Sequence, residues 1–125
     1  MTNVAWFAFL VAAAVGAPAR YLIDGLVQDH TEGDFPWGTF VVNVTGCLVL
    51  GTITGLGIYH GLGSATTTVL GTGGMGAYTT FSTFTFETVR LAEEGAINEA
   101  CRNAAGSFAI GLAAASAGLA VAAFL

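Results

Sequence analysis

Four long stretches without a single charged residue divide the chain: residues 1–19, 35–59, 61–86 and 103–125. Each is close to or longer than the roughly 20 residues an α-helix needs to cross about 30 Å of hydrocarbon. The pattern predicts an all-α membrane protein with four transmembrane helices, at about residues 3–24, 36–59, 63–92 and 99–124. These form one unit over residues 1–125, with no room for a water-soluble domain. The polar connections are brief: DGLVQDHTEGDFP, YHGLGS and RLAEEGAINEACR. No basic segment precedes the first apolar run, so it reads as a retained span rather than a cleaved signal.

Composition agrees. Hydrophobic residues make up 54% of the chain and charged residues 9%, where a soluble domain carries about a quarter charged. The three arginines (Arg20, Arg90, Arg102) and eight acids all fall within residues 20–34 and 87–102. If all four spans cross, these zones share one side of the membrane, and the other side carries only His60. By the positive-inside rule the arginine bias places the charged side in the cytoplasm, while a bias of only three arginines equally fits a chain that inserts in either orientation. A net charge of −5 without any lysine excludes a basic surface for nucleic acid. Cys47 and Cys101 are too few for a disulfide framework.

Helices in lipid associate through close backbone approach, which glycines four residues apart permit. Gly51 with Gly55 and Gly57 with Gly61 have that spacing, while Gly111, Ala114 and Gly118 mark one face of the last span. These motifs support a compact bundle. Four short helices can hardly enclose a pathway alone, so the functional unit is expected to be a dimer or larger.

The third span is unlike the others. Residues 71–86 read GTGGMGAYTTFSTFTF, and glycines at 71, 73, 74 and 76 predict a weakened helix near mid-membrane. A break there exposes carbonyls that protein, water or an ion must satisfy. A simple kink or a tight helix crossing explains the glycines equally well. Beyond it, Phe81 and Phe84 share a helix face, with Thr80, Thr83 and Glu87 adjoining. Phenyl edges are electropositive and can receive an anion without binding it too tightly, but paired phenylalanines also serve as packing. In the second span Thr39, Asn43 and Gly46 lie on one stripe, and Asn103 with Ser107 repeats the spacing in the fourth. Each amide either glues helices together or lines a path. Arg20 closes the first span, where it snorkels to the interface or lends positive potential to a vestibule.

Gly76, the run Thr79-Thr80-Phe81-Ser82-Thr83-Phe84 and Glu87, together with Gly38-Thr39, Asn43, Gly46 and Gly51, resemble the Fluc fluoride channel family, also called CrcB. The resemblance covers essentially the whole chain, including Arg20-Tyr21 and the Ser107 to Gly111 spacing. It implies a fluoride-specific channel in the cell membrane that exports the ion and relieves its toxicity. It further implies an antiparallel, dual-topology dimer with two pores and a structural sodium ion at its centre. On that resemblance Phe81 and Phe84 line the fluoride path, Asn43 donates to the ion, and Thr39, Thr83 and Ser107 add hydroxyls. Glu87 sits near the pore, Arg20 borders the vestibule, and Gly76 and Thr79 offer backbone carbonyls to sodium. The partner is a second copy or a homologous subunit. Where the family often has tyrosine one turn before the serine, this chain has Asn103.

Two other functions compete. A small proton-coupled exporter needs a titratable carboxylate within a span, and only Glu87 is available. A non-conducting scaffold leaves the glycine cluster, the paired phenylalanines and Asn43 without a task. No nucleophile and base pair or phosphate loop points to an enzyme, and His30 and His60 lie in connections.

Overall fold

The computed structural model describes residues 1–125 and contains helices alone. The first helix, α1 (Asn3–Asp29), is capped by the Thr2 hydroxyl, which accepts the Ala5 N–H. The sequence predicted its end near residue 24. It runs on through the polar DGLVQD, because nothing there interrupts the backbone ladder before Gly33, whose φ is +94°. Arg20 and Asp24 therefore stand one turn apart within a helix rather than at its end.

Helix α2 (Trp37–Tyr59) and the last helix form the tightest pair. A Cβ at Gly51 would collide with the Ala115 carbonyl, one at Gly55 with Ala122, and one at Gly118 with the Leu48 carbonyl. These glycines bring backbones together. Gly61 does not belong with them: it occupies a turn with φ +68°, a conformation that glycine adopts without steric cost.

The third span consists of two limbs. Limb α3 (64–78) contains a π-helical stretch, Thr68–Met75, and a last turn, Gly76–Tyr78. Thr79 and Thr80 are extended, with φ/ψ of −76°/160° and −144°/125°. Limb α4 (Phe81–Glu93) follows, its first turn capped by the Thr80 hydroxyl. The break thus lies downstream of the glycines expected to cause it. Gly71, Gly73 and Gly74 stay helical and buried, and the backbone around them packs on α1, where a Cβ on Gly73 would meet Phe9 at 3.0 Å. They allow the crossing; the threonines make the break.

A tight turn at Gly95 (φ +83°) leads into α5 (Ile97–Phe124), which carries a π-helical segment at Arg102–Gly106. Only α1, α2 and α5 are long, apolar and continuous enough to cross a membrane individually. The third span crosses as two pieces. Large apolar side chains cover the outside, Phe7 being 70% and Phe108 73% exposed, as lipid requires. The chain is a multi-pass integral membrane protein.

Candidate functional site

The break is held by one side chain. Asn43, on α2, donates from Nδ2 to the Thr80 carbonyl at 2.9 Å and accepts the Thr80 N–H on Oδ1 at 2.8 Å. Both polar groups of an extended residue are thereby satisfied within the bundle, which lipid could not do. A second consequence concerns Gly76. The Thr80 N–H is its helical i→i−4 partner, so the clamp releases the Gly76 carbonyl from the ladder.

Thr80 is the hub of the hydroxyls. Its Oγ1 accepts the Thr83 N–H at 3.2 Å, donates to Thr83 Oγ1 at 3.0 Å and lies 3.3 Å from Ser82 Oγ. On one side of this hub a groove is lined by Asn43, Thr79, Thr80, Phe81, Phe84 and Ser107, with Cys47, Leu50 and Phe108 beside them. The Phe81 and Phe84 rings are 5.9 Å apart and tilted by 45°. Phe81 is 77% exposed and contributes nothing to a core within one chain.

On the other side a cavity of about 190 Å³ is lined by Arg20, Tyr21, Asp24, Thr39, Thr80 and Thr83. Arg20 Nη1 reaches within 3.5 Å of the Thr79 carbonyl. Thr39, nearly fully buried, donates to Glu87 Oε1 at 3.1 Å, whereas Glu87 Oε2 is buried without a hydrogen-bond partner. Thr80 thus lines both the groove and the cavity.

Asn103 is completely buried. Its Nδ2 donates to Thr88 Oγ1 at 2.8 Å and, more weakly, to the Phe84 carbonyl at 3.4 Å, while its Oδ1 accepts the Ser107 hydroxyl proton at 3.1 Å. It ties α4 to α5 and engages Ser107.

The structure thus gathers Asn43, Phe81, Phe84 and Ser107 around one groove, and Arg20, Thr39 and Thr83 around the neighbouring cavity, with Glu87 behind Thr39. Thr79 lies in the break and Gly76 in the turn just before it. Sequence reasoning passed over Asp24 and Tyr21 as lining residues, although Asp24 lies four residues after Arg20. It also gave Thr80 no role, although a threonine three residues before Thr83 at a helix start is an N-cap pattern.

A broken span, extended backbone satisfied inside the bundle and a polar seam through otherwise apolar helices define a helical membrane transport protein. Residues 7–119 match the profile of the family described as CrcB-like protein, Camphor Resistance (CrcB). A protein of Streptomyces avermitilis named Fluoride-specific ion channel FluC 1 is 50% identical, over 91% of this chain and 92% of its own length. One of the same name from Frankia casuarinae is 44% identical over 94% and 95%. Fluoride-specific ion channel FluC of Nitratidesulfovibrio vulgaris is 47% identical over 82% and 84%. The chain belongs to the CrcB family.

Proposed function

We propose that this chain is the subunit of a fluoride-specific ion channel, which lets fluoride leave the cell down its electrochemical gradient and so lowers its toxicity. The observation that carries this reading is whole-length identity to proteins of that name, in a chain whose groove offers the chemistry fluoride requires. Fluoride is small, hard and strongly hydrated, so a path must replace water with donors. Asn43 spends one amide hydrogen on Thr80 and has a second for an ion. The edges of Phe81 and Phe84 supply weak positive potential, and no lysine lines the groove to trap an anion.

The groove is open along the surface of a single chain, so a second subunit has to close it. The antiparallel dimer, of two copies or of this chain with a homologue, does so. A structural sodium ion also suits the break. Unwound carbonyls are good sodium ligands, and the Gly76 carbonyl is free of its helical partner while that of Thr79 lies in extended backbone. One chain offers few such oxygens, and a two-fold related copy doubles them.

The test is fluoride efflux from liposomes holding the purified protein, with chloride as the control and a protonophore to remove any pH gradient. Rapid, fluoride-selective loss that ignores the pH gradient is expected. A coupled exporter is the second reading, favoured by the unpartnered Glu87 Oε2; it predicts loss only with a proton gradient. No flux at all would leave a missing partner subunit or a scaffold.

A further inference from the structure

The Ser107 hydroxyl lines the groove, yet its proton is already committed. The Asn103 amide has one consistent orientation. Thr88 Oγ1 gives its own proton to the Phe84 carbonyl at 2.8 Å, so it can only accept from Asn103, and the Phe84 carbonyl accepts as well. Nδ2 therefore faces both, and Oδ1 faces Ser107 at 3.1 Å. An amide oxygen cannot donate, so the hydrogen between them belongs to Ser107. The π-helical segment Arg102–Gly106 holds the two residues on one face of α5.

We propose that Asn103 is a positioning residue that keeps the Ser107 proton turned away from the groove. At this level the groove meets an anion with oxygen lone pairs instead of an O–H donor. For Ser107 to donate to fluoride its hydroxyl must rotate, which leaves the Asn103 oxygen without a donor in a fully buried position. The anion's hold on Ser107 is therefore weak, and release past Phe84 is fast. The inference rests on the fluoride-channel reading above.

The experiment measures initial fluoride efflux from liposomes against internal fluoride concentration, for the full-length protein and its variants. Asn103→Leu removes the acceptor and frees the Ser107 proton. The half-saturating fluoride concentration is expected to fall by about three- to tenfold, with a lower maximal rate, since one hydrogen bond is gained by the ion. Asn103→Val, which likewise offers Ser107 no acceptor, carries the same expectation should the leucine variant fail to assemble. In a Ser107→Ala background neither substitution should shift half-saturation. The proposal falls if both Asn103 variants keep the original half-saturation, or if the shift persists without Ser107. Absence of flux from the unsubstituted protein instead overturns the reading of this chain as a channel on its own, and this inference with it.

Discussion

The side-chain amide of Asn43 takes the place of a helix neighbour for Thr80, giving a hydrogen to its carbonyl and receiving one from its N–H. The separation along the chain is 37 residues, so the interruption of the third span is imposed from another helix. Extended backbone at that depth survives in a bilayer because this partner is present.

Asn43→Ala removes both bonds at once. Each backbone group left unpaired costs about 1–3 kcal/mol, so the melting temperature in detergent should drop and fluoride efflux should fall well below that of the unsubstituted protein. Asn43→Asp keeps the acceptor but loses the donor and adds a charge that repels an anion. It should therefore be better folded than Asn43→Ala yet equally poor in flux. Equal flux in all three proteins would remove Asn43 from the pathway.

Phe81 is exposed on the single chain, so Phe81→Ile should leave the protomer's fold intact. The substitution removes an electropositive ring edge from the groove, and fluoride efflux should slow. Circular dichroism and efflux measured on the same preparation separate a folding defect from a transport defect.

Gly51 and Gly118 leave no space for a methyl group because a carbonyl of the opposite helix occupies it. Gly51→Ala or Gly118→Ala should destabilise the protein by about 1–3 kcal/mol, the usual cost of overpacking. Gly106 has nothing within 4 Å of an added Cβ, and Gly106→Ala should be neutral or stabilising through its better helix propensity. Thermal melting of the three variants in one detergent checks the contrast.

Glu87→Gln retains an oxygen for the Thr39 hydroxyl while abolishing titration. A channel should keep its fluoride efflux in this variant, with or without a pH gradient. A proton-coupled exporter would lose transport altogether, so one efflux trace with protonophore and one without decide between them.

Exchange of sodium for a larger cation throughout purification should weaken the proposed dimer if Gly76 and Thr79 hold the ion. An ion present at about 100 times its dissociation constant adds about 2.7 kcal/mol to the state that binds it. Sedimentation or cross-linking in the two buffers should show dissociation at lower protein concentration once sodium is gone, and an unchanged dimer would argue against these carbonyls.

Much of the architecture was legible because lipid imposes simple rules. Apolar runs gave the helices, and the glycine spacings gave a compact bundle, but not that Gly51, Gly55 and Gly118 would meet the facing backbone between α2 and α5. The position of the break was misread for a physical reason. Glycine lowers helix propensity locally, but Gly73 and Gly74 stay helical against α1 and Gly71 against Leu50 of α2, whereas Thr80 leaves the helix with its N–H and carbonyl both bonded to Asn43. Such a long-range exchange leaves no local signature. The same holds for Ser107: its spacing from Asn103 was visible, but the direction of its proton depends on Thr88 and Phe84 across the helix pair.

The order of residues along the chain also bears on how the protein is made. Synthesis runs from the N-terminus, so α2 with its Asn43 emerges before Thr79 and Thr80 do. The group that satisfies the break can be waiting in the bilayer when the interrupted segment arrives, sparing the nascent chain a period with bare amides in lipid. Asn103 comes after Phe84 and Thr88, so the seam between α4 and α5 closes only once the last helix has inserted. The pathway is completed at the end of biogenesis, after its most fragile turn has already been secured.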